Sequence, residues 1–233
     1  MPQIGRDSPS LADAQNLVTE RSTEAAAALD DLLRRHSALR GVAVDLASAY
    51  LAIAESLSAG GTLYLCGNGG SFADALHMSG EMLKSYLRPR PLPAAFRVRL
   101  ERERNGALLA ANLECGLRAH VLGLNAALAT AVANDFAARD MGCAQELYAF
   151  ARGGDVFLGI STSGKAANVG NAASVARALG LVTISLTGPD GGPLAAQAHI
   201  AMRAPGERTD RIQEHHVLLY HTLCEMLEAD LCR

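Results

Sequence analysis

The sequence predicts an α/β fold, a parallel β-sheet flanked by helices, with an N-terminal helical extension. Three observations predict it. Short segments rich in Leu, Val and Ile alternate with segments of helical periodicity through the second half of the chain. Those short segments are apolar on both faces, as strands inside a parallel sheet are. Before residue 59 the periodicity is helical throughout. With 233 residues, 49% of them hydrophobic, the chain can bury a core without staples, as one domain with additions or at most two small ones.

Residues 9–58 read as two long helices. Ser8 or Ser10 can cap the first, which runs through Leu33. The second runs from about Leu39 to Leu57, where Gly60-Gly61 ends it. A strand at 62–66 leads into Gly67-Asn68-Gly69-Gly70-Ser71 and then a helix to about Ser85. Residues 86–106 hold Arg88, Arg90, Arg97, Arg99, Arg102 and Arg104 among prolines, which reads as a solvated loop face. Next come a helix at 107–118, a strand at 120–125, and helices at 126–133 and 140–152. A strand at 155–160, the loop Ser161-Thr162-Ser163-Gly164 and a helix at 166–179 follow. A strand at 181–186 ends in Thr187-Gly188, a short strand sits at 199–202, and a helix at 210–231 closes the chain. The chain thus divides into N-terminal helices, 1–58, and a sheet-bearing unit, 59–233, with an insertion near 91–118.

The net charge of −3 gives no electrostatic case for nucleic acid or an anionic membrane. No apolar run reads as a membrane span, and the N-terminus has no leader-like core. The five cysteines are scattered without CxxC spacing, which reads as reduced thiols. A cytoplasmic location is expected.

Ligands of an open parallel sheet gather beyond the carboxyl ends of its strands. Two loops fall there, Asn68-Gly69-Gly70-Ser71 and Ser161-Thr162-Ser163-Gly164. Glycines admit close backbone approach, hydroxyls donate, and the following helix N-termini offer free N–H groups to an anion. Each loop alone serves equally as a tight turn with a cap; two in one sheet favour a phosphate ester. Neither is a P-loop or a GxGxxG loop. His77 and Glu81 lie four apart and share a helix face. Asp210, Gln213 and His221 lie on or beside the last helix. Glu81 and His221 are candidates for general base and acid. His77, Glu81, Gln213 and His221 are also candidate ligands for a divalent metal such as zinc. Spacing alone is equally met by a surface His–Glu pair and a part-buried histidine. Gln213 and His221 are eight apart, a rise of ~12 Å, so one ion reaches both only at full stretch or from different subunits.

The run CGNGGSFADALHMSGEM resembles the opening motif of the bacterial phosphoheptose isomerases of the sugar-isomerase (SIS) superfamily. GDVFLGISTSGKAANV and ISLTGPDGG resemble their central motifs, DRIQEHHVLLYH their C-terminal one, and Ala133-Asn134-Asp135-Phe136 a family loop. The resemblance spans about 40–231, apart from 91–118, and implies a flavodoxin-like SIS domain that isomerises sedoheptulose 7-phosphate to D-glycero-D-manno-heptose 7-phosphate. It implies that Glu81 is the base and His221 the acid. It implies that Ser71, Ser161, Thr162 and Ser163 hold phosphate, and that Asn68, Asp135, Asp210 and Gln213 surround the sugar, with Gly69 and Gly70 in the cradle. Zinc at His77, Glu81, Gln213 and His221, and a homotetramer with sites completed by neighbours, are further implications. The N-terminal helices, apolar over a stripe too wide for one sheet face, also predict a second subunit. Lys165 and Ala166 stand where the family pattern STSGNSxN has Asn and Ser, so one hydroxyl is missing and Lys165 offers charge instead. Phe72 stands where heptose isomerases often have His. A relative that binds the replication initiator DnaA lacks the glutamate and histidine; here both are present, which favours an enzyme over a binding protein. An isomerase of another sugar phosphate is the other alternative.

Overall fold

The computed structural model describes residues 10–232. Ser8, one of the two candidate caps, lies outside them. Helices α1 (Leu11–Arg21), α2 (Thr23–Arg35) and α3 (Ala43–Ser58) precede the sheet. Strands β1 (Leu63–Cys66), β2 (Ala119–Val121), β3 (Val156–Ser161), β4 (Val182–Thr187) and β5 (Ile200–Arg203) form it. Between β1 and β2 lie α4 (Gly70–Leu83), α5 (Ala94–Leu100) and α6 (Gly106–Asn112). The remaining helices are α7 (Ala126–Asp135), α8 (Gly142–Phe150), α9 (Ala167–Ala178), α10 (Gly192–Gln197) and α11 (Thr209–Leu231). All pairings are parallel, in the flavodoxin-like order β2-β1-β3-β4-β5. The expected fold class is the observed one.

Both faces of the sheet are covered, which explains the doubly apolar strands. Leu63, Leu65, Leu158 and Ile184 join one apolar core with α1–α4 and α11. Tyr64, Cys66 and Phe157 point to the other, against α8–α10. The first expected helix is in fact two. Ser22 is extended (φ −155°, ψ 117°) and its hydroxyl accepts the Ala25 N–H, so a cap replaces a helical turn. The second expected helix starts as a 3-10 turn at Ser37–Val42. That segment through Ser58 corrects the reading of membrane spans. Its 22 residues are apolar enough to cross a bilayer by length and composition. Half of its most apolar window is nonetheless buried, with Leu46, Tyr50 and Ile53 fully covered. The wide apolar stripe of the N-terminal helices is likewise covered within the chain, because Leu29, Leu32 and Leu39 join the core shared with α11. The stripe therefore does not itself require a second subunit.

Between β1 and β2 the sequence reading needs most correction. The helix expected at 107–118 stops at Asn112, because Glu114 bridges antiparallel to Pro91 and the Cys115 N–H donates to the Arg90 carbonyl. The 86–106 segment contains α5, and its arginines are not one solvated face: Arg90 is buried, at 2% exposure. The second strand is shorter than expected, the 140–152 helix begins at Gly142, and α10 was not anticipated.

Candidate active site

β1 and β3 are neighbours, with Cys66 beside Gly159, while β2 flanks β1 on its other side. The strand order therefore reverses between β1 and β3, the position where open α/β sheets bind ligands. Both hydroxyl-bearing loops leave from there. Gly69 (φ 54°) turns the chain into α4, and Gly164 (φ 63°) turns it towards α9. Neither α4 nor α9 has a side-chain N-cap, so their first-turn N–H groups are available to an anion. Gly70 is needed for a second reason: a Cβ there would lie 2.1 Å from Gln213 Nε2 on α11. Ser71 and Ser161 are buried, and Ser163 and Lys165 are exposed.

The two loops are tied by a reciprocal amide pair. Asn68 Nδ2 donates to Asn168 Oδ1 at 2.7 Å, and Asn168 Nδ2 donates to Asn68 Oδ1 at 2.9 Å. Sequence reasoning did not single out Asn168, although it is the last residue of the STSG-type motif. Two cavities adjoin the loops. One, of about 200 Å³, is lined by Thr162, Ser163 and Lys165 with Asp190, Glu207 and Thr209. The other, of about 300 Å³, is lined by Asn68, Asn125, Arg139, Cys143, Glu146 and Asn168. In the latter a hydrogen bond with Cys66 brings the Cys143 thiol down to about 7, outweighing burial.

Glu81 near the end of α4 and His221 midway along α11 come together, as the sequence reading required. His77 Nε2 lies 3.2 Å from Glu81 Oε1 and 3.4 Å from His221 Nε2. The three residues present ligand atoms all within 4.8 Å of one another. Two tyrosines missed by the sequence reading hold the imidazoles. The Tyr220 hydroxyl meets His77 Nδ1 at 3.0 Å, and Tyr86 stacks on His221 with centroids 5.7 Å apart. Burial pushes the Tyr220 phenol upward, so it stays protonated and able to donate. Burial, reinforced by His77, holds His221 below the ordinary histidine value against the opposing pull of Glu81. His221 is therefore a neutral imidazole near pH 7. Asp74, one turn before His77, is pushed up to about 6 by burial, with His77 acting against it.

Three of the anticipated residues stand apart from this cluster. Gln213 packs on Gly70, two turns of α11 before His221, beside the first loop. Asp210 is exposed and held by Arg208 at 2.7 Å, which keeps its carboxyl below the usual range. Asp135 is exposed at the end of α7 and accepts from Asn134 Nδ2. The part of α7 that lines the larger cavity is Leu128 and Ala129, about two turns earlier.

A phosphoheptose isomerase of Halorhodospira halophila is 34% identical over 205 residues, covering 87% of this chain and 91% of its own. The chain belongs to the phosphoheptose isomerase family. A second phosphoheptose isomerase, from Escherichia fergusonii, is 33% identical over 94% of this chain and 99% of its own. The SIS domain family model matches residues 104–188, which contain β3 and its loop. The phosphoheptose isomerase GmhA of Neisseria gonorrhoeae superposes with a TM-score of 0.65 at 31% identity, covering 87% of this chain and 96% of that one. A phosphoheptose isomerase of Francisella tularensis gives 0.67 at 26% identity, covering 94% and 98%. The phosphoheptose isomerase likeness thus extends well beyond the SIS match, to α4 and α11, where Glu81 and His221 stand.

Proposed function

We propose that this chain interconverts sedoheptulose 7-phosphate and D-glycero-D-manno-heptose 7-phosphate through an enediol. The observation that carries the reading is the meeting of Glu81 and His221 on two different helices, in a chain whose strand-end loops offer hydroxyls and uncapped helix N-termini. Ser71, Ser161, Thr162 and Ser163, with Lys165, hold the phosphate. Asn68, Asp135, Asp210 and Gln213 surround the sugar. The Glu81 carboxylate takes the proton from C1 of the ketose. The neutral His221 gives a proton to the C2 oxygen, forming the enediol, then recovers one from the C1 oxygen as Glu81 returns its proton to C2. Atoms balance, and no redox partner is needed.

The donor set also suits zinc: two imidazoles and a carboxylate converge, and the Tyr220 hydroxyl can fix the His77 ring from its other nitrogen. His77, Glu81 and His221 would hold it, with Gln213 as the fourth candidate, and a bound zinc would polarise the substrate's carbonyl and hydroxyl oxygens. The cluster and the phosphate loops of one chain are two turns apart along α11, which favours sites completed by a neighbour in a homotetramer. Residues 1–58 would contribute to that interface. Light scattering at micromolar concentration is expected to give four chains per particle, and a monomer would remove this part of the proposal.

A panel of ketose phosphates incubated with the purified protein tests the reaction, with aldose product expected from the seven-carbon ketose. Product only from another ketose would shift the reading to that sugar, and none at all would favour a binding protein. Changing Ser161 and Ser163 to Ala is expected to weaken sugar-phosphate binding by about 1.5–3 kcal/mol for each donor lost, with the fold retained. Calorimetry giving wild-type affinity for the double variant would place the phosphate elsewhere.

A further inference from the structure

We propose that Arg90 is a positioning residue for the isomerisation, holding the helix that carries Glu81 in register with the helix that carries His221. This rests on the acid–base assignment proposed above. The Arg90 side chain has no exposed surface, and Glu228, its partner on α11, has 1%. Arg90 Nε donates to Glu228 Oε1 at 2.7 Å. Nη1 donates to the Met82 carbonyl at 2.7 Å and Nη2 to the Glu81 carbonyl at 3.0 Å. α4 ends at Leu83, so these carbonyls belong to its last turn, which lacks helical donors. One guanidinium therefore caps α4 at the residue bearing the base.

The other end of the clamp reaches the acid. Glu228 follows His221 by seven residues, two turns along the same face of α11. Its carboxylate also accepts the N–H groups of Tyr86 and Leu87 at 2.8 Å and of Arg88 at 3.1 Å. Tyr86 is the residue stacked on His221. The Arg90–Glu228 pair thus fixes the Glu81 backbone, the His221 helix and the ring covering His221 together.

Stability alone does not account for such a pair, because well-packed apolar residues replace buried ion pairs with little or no loss. The planar fork supplies three fixed directions, one to a carboxylate and two to carbonyls, which an ammonium cannot reproduce. A misplacement of 1 Å between reacting groups costs about 100-fold in rate.

The test compares Arg90→Lys with Arg21→Met and Glu81→Gln, using sedoheptulose 7-phosphate. Arg21 pairs with Asp230 on the same helix at 2.5 Å, away from Glu81 and His221, and serves as the control for general loosening of α11. Arg90→Lys is expected to lower kcat by about 10–100-fold with KM within about twofold, and to shift the pH profile of kcat. Arg21→Met should lower the thermal midpoint and leave kcat at the wild-type value. Should Arg90→Lys not fold, the double change Arg90→Met with Glu228→Met removes both charges at once, and the same kcat loss is expected. A folded variant with wild-type kcat and pH profile, alongside an inactive Glu81→Gln, would overturn the positioning role while leaving the isomerase reading intact. An active Glu81→Gln would instead remove the base that Arg90 is proposed to position, and the proposal with it.

Discussion

Glu81→Gln is expected to lower isomerase turnover by about 10²–10⁴-fold while leaving sugar-phosphate affinity nearly unchanged. The amide keeps the shape of the side chain and loses the ability to take the C1 proton. The loss should sit near the upper figure, since the other groups in the cluster are imidazoles with different tasks. His77 is engaged by Tyr220, and His221 is the proposed acid. The phosphate loops are on other elements, so binding measured by calorimetry should survive. If zinc is held at the cluster, elemental analysis of the same variant should also find less of it.

Glu228→Ala is expected to destabilise the fold by about 3–5 kcal/mol, because it leaves the buried Arg90 guanidinium uncompensated. For a chain of this size that lowers the thermal midpoint by about 6–20 °C. The N–H groups of Tyr86, Leu87 and Arg88 lose their acceptor as well. The same carboxylate predicts a pH dependence. Burial alone would raise its pKa, but the backbone N–H groups and Arg90 outweigh that and lower it below the ordinary value of 4.5. A lowered folded-state pKa means that the stabilisation is complete above the unfolded value and is lost as pH falls through the folded one. Calorimetric scans from neutral pH into the acid range check the sign. The midpoint of Glu228→Ala should fall less steeply with acid than that of the wild type.

The sheet was legible because its strands are buried on both faces. Leu63 to Cys66 and Val156 to Ile160 show no polar alternation, and the glycine-rich turns after them mark their carboxyl ends. The closing helix was legible from its periodicity, to within one residue at its start. What escaped notice depends on contacts distant in the chain. The Pro91–Glu114 bridge diverts a segment whose local pattern is helical, and Arg90 looks like its exposed neighbours until Glu228, 138 residues away, is seen beside it. Ser22 was missed for a local reason, since a serine inside a helical pattern is compatible with continuation or with a new cap. Nothing in the spacing of Glu81 and His221 required them to meet. That expectation came from the family motifs, and the pairing of α4 with α11 meets it.

The most direct measurement is hydrogen exchange at C1 and C2 of sedoheptulose 7-phosphate, followed by NMR in deuterated water. Wild-type protein should exchange solvent deuterium into the substrate as the aldose appears, and Glu81→Gln should do neither at a measurable rate while still binding the sugar phosphate. Exchange at the full wild-type rate in Glu81→Gln would contradict the assignment of Glu81 as the base.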